Sequence, residues 1–283
     1  MWKSLRLVTA LLILAISVPT LVVLAKKGCD VGGVCELGDR SYGVRSPWTS
    51  GPHPVVVFLP GSFLPGETAA QMPELYGATD DKGYILVVPT GVDVTYENGR
   101  QGPGWRWFGE GFEADRMFIE EVLADLASRH KIDRSRILIT GHSSGGVFSL
   151  YLACTGRAQT EYFATSAAAF VKGRPTGCNA TTPPFWLYHD HGARDYVVPL
   201  AGSAGTAPWQ AAADWTEGLA ETQGCTDQRE TETEDGATVT YSECRGGGEL
   251  VLNTHQGSHQ LDGAWLRDAL DWFEAVQAER AGS

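Results

Sequence analysis

Basic side chains are scarce in this chain of 283 residues: 22 Lys and Arg stand against 34 Asp and Glu, for a net charge of −12. No stripe gathers those 22 into a positive patch. The field that draws a protein to phosphate backbones or anionic headgroups is therefore lacking, which argues against nucleic-acid binding. There is no internal repeat, no low-complexity tract and, after residue 28, no shift in composition that would mark a second domain. Also missing is a C-x-x-C pair with a matching partner, so the six cysteines do not read as a metal site. One run near the amino terminus, Leu7 to Ala25, is uncharged and almost wholly apolar.

That run follows Lys3 and Arg6 and ends in Val23-Leu24-Ala25, with small side chains where a signal peptidase cuts. Residues 1–25 read as an export signal or, left uncut, as an anchor, because the run is long enough to span a bilayer. Either way the remainder, residues 28–280, is expected outside the cytoplasm, secreted or periplasmic, touching a membrane only through the amino-terminal segment. An even number of cysteines suits disulfides in that compartment. Their pairing stays open on sequence alone; local order suggests Cys29 with Cys35, Cys154 with Cys178 and Cys225 with Cys244.

Beyond residue 28, short apolar runs alternate with helix-like segments. The runs are Val55–Leu59, Tyr84–Val88, Ile137–Thr140, Phe185–Tyr188 and Leu250–Leu252. Continuous rather than alternating hydrophobicity means that both faces of each strand are covered, as in a mostly parallel, doubly wound sheet flanked by helices. The fold class is α/β. Between the second and third runs, Ala114 to His130 places Met117, Phe118, Val122 and Leu126 at helical spacing, a crossover helix. Ala211–Leu219 and Ala264–Val276 read as further helices, and the acid-rich Thr226–Tyr241 as a turn or hairpin within one domain.

The stretch Thr140-Gly141-His142-Ser143-Ser144-Gly145-Gly146 carries the chemistry. A strand that turns sharply into a helix strains its corner residue, and flanking glycines relieve the crowding; G-x-S-x-G is that turn. Reading Ser143 as the corner puts Gly141 and Gly145 in place, whereas Ser144 would put His142 where glycine is needed. Ser143 is the candidate nucleophile, and Ser144 would offer a backbone N–H as half of an oxyanion hole. The other half is expected from Ser62 or Phe63, in the loop Pro60-Gly61-Ser62-Phe63 after the first long strand.

With 34 glycines in the chain the serine motif alone is weakly specific, so its partners decide. This turn needs an acid and then a histidine further on, each past the carboxyl end of a strand. After Phe185–Tyr188 come Asp190 and Asp195; Asp195 lies far enough out to reach a histidine above the sheet and is favoured. After Leu250–Leu252 come His255 and His259. His259 follows a glycine that can form the loop and is favoured, while His255 lies too near the strand. His142 reads as packed in the elbow, His189 and His191 as structural rings in a loop with no third ligand to make them a metal site, and His53 and His130 as surface residues. Trp105 and Trp107 sit in a loop after the second strand where their aromatics could grip substrate, and Tyr196 stands beside Asp195.

With these parts in place the chain resembles the polyhydroxybutyrate depolymerase and feruloyl esterase family of α/β-hydrolases, LpqC-like proteins among them. "KIDRSRILITGHSSGG" and the "HG..D..VP" pattern in "HDHGARDYVVP" carry the likeness, supported by "VVVFLPGSF", "YILVVPTG", "GWRWFGEGFEADRMFIEEVL" and "GSHQ". The family usually has His-Gly where this chain has Pro60-Gly61, and often Gly-His-x-Trp-Pro where His259 is followed by Gln260-Leu261. The resemblance implies a single α/β-hydrolase domain without a large lid and a serine ester hydrolase that needs no cofactor and no metal. Its substrate would be a polyhydroxyalkanoate, a feruloyl ester or an acetylated polysaccharide, in that order. It also favours the pairs Cys154 with Cys178 and Cys225 with Cys244. The contrasting expectation is a non-catalytic envelope or binding protein that kept the fold.

Overall fold

The computed structural model describes residues 29, 33–96, 99–203 and 208–282. The run 1–25, read as an export signal or anchor, lies outside the described residues. Among those described, no helix is long and apolar enough to cross a membrane.

Ten strands form one mixed sheet. They are β1 (Val34–Leu37), β2 (Arg40–Arg45), β3 (His53–Leu59), β4 (Ile85–Pro89), β7 (Ile132–His142), β8 (Tyr162–Ser166), β9 (Trp186–Gly192), β10 (Asp227–Glu232), β11 (Gly236–Ser242) and β12 (Glu249–His255). A separate hairpin, β5 (Val92–Thr95) with β6 (Gln101–Gly104), stands apart. The order across the large sheet is β1-β2-β4-β3-β7-β8-β9-β12-β11-β10. β4, β3, β7, β8, β9 and β12 run parallel, and antiparallel pairs finish both edges. The helices are α1 (Gly66–Ala69), α2 (Pro73–Asp80), α3 (Gly109–Arg129), α4 (Ser144–Thr155), α5 (Ala212–Gln223) and α6 (Ala264–Gly282).

The continuous apolar runs have their expected cause. Along β3, Val55, Val57 and Leu59 face the core shared with α3, α4 and α5, while Val56 and Phe58 face the one shared with α2 and α6. A strand covered on both sides has no polar face to show. The five apolar runs locate β3, β4, β7, β9 and β12. They miss β8, a five-residue strand reading Tyr-Phe-Ala-Thr-Ser, and β1 and β2, where polar residues interrupt the apolar ones.

Four local expectations change. His189 and His191 belong to β9 and not to a loop, because β12 pairs with that strand as far as Gly192 and β8 as far as Asp190. His53 is buried at the start of β3, with its ring nitrogens 2.9 Å from the Thr49 carbonyl oxygen and 3.2 Å from that of Gly83. His130, just past α3, is half-buried. Met117 is half-exposed; α3 turns Phe112, Phe118, Ile119, Val122, Leu123 and Leu126 inward.

The three disulfides close in local order: Cys29–Cys35, Cys154–Cys178 and Cys225–Cys244. The second ties the end of α4 to the segment leading into β9, across a sequence separation of 24. Closing a loop of that length restricts the unfolded chain and is worth about 3 kcal/mol. The double variant Cys154→Ser, Cys178→Ser should therefore lose about 3 kcal/mol of unfolding free energy and unfold at a lower urea concentration; an unchanged midpoint would show that this link carries no stability.

Candidate active site

β7 ends at His142 and α4 begins at Ser144, so the chain must turn at the single residue Ser143. Its φ of 53° and ψ of −123° place a non-glycine residue in strained backbone, a cost of roughly 1–3 kcal/mol that the surroundings must hold. The glycines show how. A Cβ on Gly145 would lie 2.0 Å from the Leu59 carbonyl oxygen, and one on Gly141 would lie 2.5 Å from the backbone of Gly145. Three backbone segments meet here too closely for side chains. The Ser143 amide also donates to the Ser166 carbonyl of β8, at 3.0 Å.

The turn aims Ser143 Oγ at His259, whose Nε2 lies 2.9 Å away. On the other side of the ring, Nδ1 is 2.7 Å from Asp195 Oδ2. A carboxylate can only accept, so Nδ1 carries the proton and Nε2 is left to accept from the Ser143 hydroxyl. Asp195 is 3% exposed, and its second oxygen accepts the amides of Val197 and Val198, each at 2.8 Å. Burial opposes its charge, but the hydrogen bond from His259 and the two amides outweigh it, leaving the carboxyl below its ordinary range. The loops bearing the two residues are stitched together, Ala193 N to His255 O at 2.7 Å and Arg194 N to Gly257 O at 2.9 Å.

The competing residues form a second pair. His255 Nε2 lies 3.1 Å from Asp190 Oδ2, and Asn253 donates to Asp190 Oδ1 at 2.9 Å. Parallel pairing places Asn253 level with Asp190 at the ends of β12 and β9. The hydrogen bond to Asp190 raises the His255 pKa. The structure thus brings together Ser143, His259 and Asp195, and keeps His255 and Asp190 to each other.

Ser144 opens α4, so its N–H is among those with no acceptor inside the helix. Across from it the backbone of Gly61 lies against the elbow; a Cβ there would be 3.2 Å from Ser143 Cβ. Phe63 is a correction: its amide donates to the Pro103 carbonyl at 2.8 Å, so it is committed to the β5–β6 hairpin, and Ser62 remains as the second candidate donor. Trp105 is another. It is 4% exposed, its ring 5.3 Å from that of Phe148, and its Nε1 donates to the Pro60 carbonyl at 2.9 Å. It props the loop from beneath and cannot touch a substrate.

Trp107 is partly buried, donates to the Ser144 carbonyl at 3.1 Å and meets Trp209 edge-on at 5.7 Å, while Tyr196 is 88% exposed. The sequence reading missed Trp209; an isolated tryptophan after an irregular stretch gave no signal. A surface cavity of about 640 Å³ near Phe163, Pro184 and Arg280 lies at the amino ends of the parallel strands, opposite the serine. No group of three or more His, Cys, Asp or Glu gathers as a metal site would need among the described residues.

His142 is buried, its ring centroid 5.1 Å from that of His259. Burial first, and the neighbouring His259 second, push its pKa down to about 4.

Residues 48–213 match the family described as phospholipase/carboxylesterase. No curated protein sequence matches the chain. Among solved structures, it resembles an S-formylglutathione hydrolase from Agrobacterium tumefaciens at a TM-score of 0.58 and 17% identity, covering 84% of this chain and 90% of that one. A carboxylesterase from Bacillus cereus gives 0.57 and 14%, covering 84% and 95%. An acetyl xylan esterase from Aspergillus awamori gives 0.57 and 14%, covering 83% and 94%. These likenesses identify the α/β-hydrolase fold.

The depressed pKa of His142 has a consequence for stability. Between about 6.5, the ordinary histidine value, and about 4, the unfolded chain takes up a proton that the folded chain refuses. Stability from this group is therefore full above 6.5 and falls as pH drops, by ~2 kcal/mol at pH 5. Urea unfolding at pH 7 and pH 5 should show the native protein losing that much more than His142→Phe. His189 and His191, also lowered by burial, act in both proteins and cancel. Equal losses would show that His142 is not held neutral.

Proposed function

The chain belongs to the phospholipase/carboxylesterase family and is a serine esterase, and from that premise we propose that Ser143, His259 and Asp195 carry its acyl transfer. Ser143 Oγ attacks the ester carbonyl carbon while its proton passes to His259 Nε2, and Asp195 holds the imidazole in the required tautomer. The amides of Ser144 and Ser62 receive the developing negative charge. His259 then protonates the departing alkoxide and next takes a proton from water; the hydroxide attacks the acyl carbon, and as the bond to Ser143 Oγ breaks His259 returns the proton to that oxygen, releasing the acid. The observation that carries this reading is the unbroken line of hydrogen bonds, 2.9 Å then 2.7 Å, from hydroxyl through imidazole to buried carboxylate.

The substrate we infer is an uncharged ester, since a chain with a net charge of −12 repels anionic ones. A polyhydroxybutyrate-type polyester comes first, on the "KIDRSRILITGHSSGG" and "HG..D..VP" likenesses and on the aromatic rings of Trp107 and exposed Tyr196 around the serine. Feruloyl or acetylated xylan esters are the second reading, favoured by the likeness to the Aspergillus acetyl xylan esterase. Residues 1–25 act as an export signal ahead of a domain at 28–280, and the protein works in the periplasm or outside the cell. Three disulfides support that location.

Turnover of a short-chain nitrophenyl ester tests the chemistry. Ser143→Ala should abolish it, Asp195→Asn should lower it roughly 10⁴-fold, and Asp190→Asn far less. If the native protein is no faster than Ser143→Ala, a non-catalytic binding role replaces this one. Relative rates on a hydroxybutyrate oligomer, methyl ferulate and acetylated xylan then rank the substrates.

A further inference from the structure

Behind Asp195 runs a line of hydrogen bonds that the proposed reaction does not use. Thr165 Oγ1 lies 2.7 Å from His189 Nδ1, His189 Nε2 lies 2.9 Å from His191 Nδ1, and His191 Nε2 lies 2.7 Å from the Val198 carbonyl oxygen. Thr165, His189 and His191 are each 0% exposed, and Trp215 seals the His189 ring edge-on at 4.8 Å. Two rings two residues apart on β9 face the same side of the sheet, and Asp190 between them faces the other.

The far end of the line sets its direction. A carbonyl oxygen only accepts, so His191 must carry its proton on Nε2, which makes its Nδ1 an acceptor. His189 must then donate from Nε2, and its own Nδ1 accepts the Thr165 hydroxyl. For two neutral rings this is the one proton arrangement that satisfies every atom. Burial favours the neutral form of both.

Two neutral rings could pair merely to satisfy each other, as buried polar groups must. What distinguishes this line is where it stops. Val198 is the residue whose amide donates to Asp195 Oδ1, and His191 Nε2 also lies 3.7 Å from Asp195 Oδ2, the oxygen that accepts from His259. The turn from Asp195 to Val198 is thus held twice, by its amides on the carboxylate and by its carbonyl on His191.

We propose that His191 is a positioning residue for Asp195: by gripping the Val198 carbonyl, with its tautomer set by His189 and Thr165, it keeps Oδ2 facing His259. This rests on the reading of Asp195 as the partner of His259 in catalysis. Loss of the grip lets the turn drift, and a displacement of about 1 Å at a reacting group costs on the order of 10²-fold in rate.

The test compares His191→Leu, which removes the donor, with His191→Gln, whose side-chain amide can donate in place of Nε2. Per folded molecule, counted by stoichiometric phosphonate labelling of Ser143, the leucine variant should lose about 10²-fold in kcat with KM unchanged. The glutamine variant should recover most of the loss. A folded leucine variant with native kcat, or a folded glutamine variant as slow as leucine, overturns the proposal. Nitrogen-15 histidine NMR of the native protein requires no variant to fold: protonated Nε2 and bare Nδ1 on both His189 and His191 are expected, and a proton on His191 Nδ1 overturns the assignment. Asp195→Asn measured alongside separates the two ideas. If it turns over like the native enzyme, the reading of Asp195 falls; if it is slow while His191→Leu is not, the positioning role alone falls.

Discussion

Everything at the candidate site depends on backbone segments approaching too closely for a side chain to stand between them. The end of β7, the start of α4 and the loop after β3 converge around Gly141 and Gly145, where added methyl groups would fall within 2.0–2.5 Å of neighbouring backbone atoms. That contact forces the chain to reverse at Ser143 and lifts its hydroxyl off the sheet. The same crowding brings the Gly61 backbone against the elbow, so one packing event sets both the proposed nucleophile and the loop offering the Ser62 amide. Trp105, hydrogen-bonded to the Pro60 carbonyl beneath that loop, extends the constraint into the core.

The carboxyl ends of the parallel strands do the rest. β9 and β12 lie side by side in register, and the loops leaving them are stitched by two backbone hydrogen bonds before either Asp195 or His259 is reached. Two histidine–aspartate pairs result at the same rim. Their separation is geometric: Asp190 and His255 belong to the strands and find each other across the pairing, whereas Asp195 and His259 lie beyond them and can reach over to Ser143. Burial then divides the ionisation states. Asp195 keeps its charge because three donors converge on it, while burial biases His142, His189 and His191, none of them hydrogen-bonded to a carboxylate, towards neutrality.

This division explains which features could be read from the sequence. The elbow was legible because glycine is needed at fixed offsets from the corner, and Gly141 and Gly145 satisfy that for Ser143 alone. Asp195 and His259 were separable from Asp190 and His255 by counting residues beyond each apolar run, since reach above a sheet is a matter of chain length. The continuous runs announced strands buried on both faces. What stayed hidden depends on partners distant in sequence. The Phe63 amide is claimed by Pro103, Trp105 turns under the loop instead of over the site, and His53 buries its ring against the carbonyls of Thr49 and Gly83. β8 is too short and too polar at its end to stand out, yet Thr165 and Ser166 on it contact the buried histidines and the elbow.

The outermost strand, β10, has a bearing on solubility. All six of its residues, Asp227 through Glu232, are exposed, and three of them are acidic. A bare strand edge is a template on which another chain can add itself and begin an aggregate; like charges along that edge make such addition unfavourable. The Cys225–Cys244 link closes the base of this hairpin, joining the chain just before β10 to the chain just after β11. The fold thus ends in a border that repels its own copies.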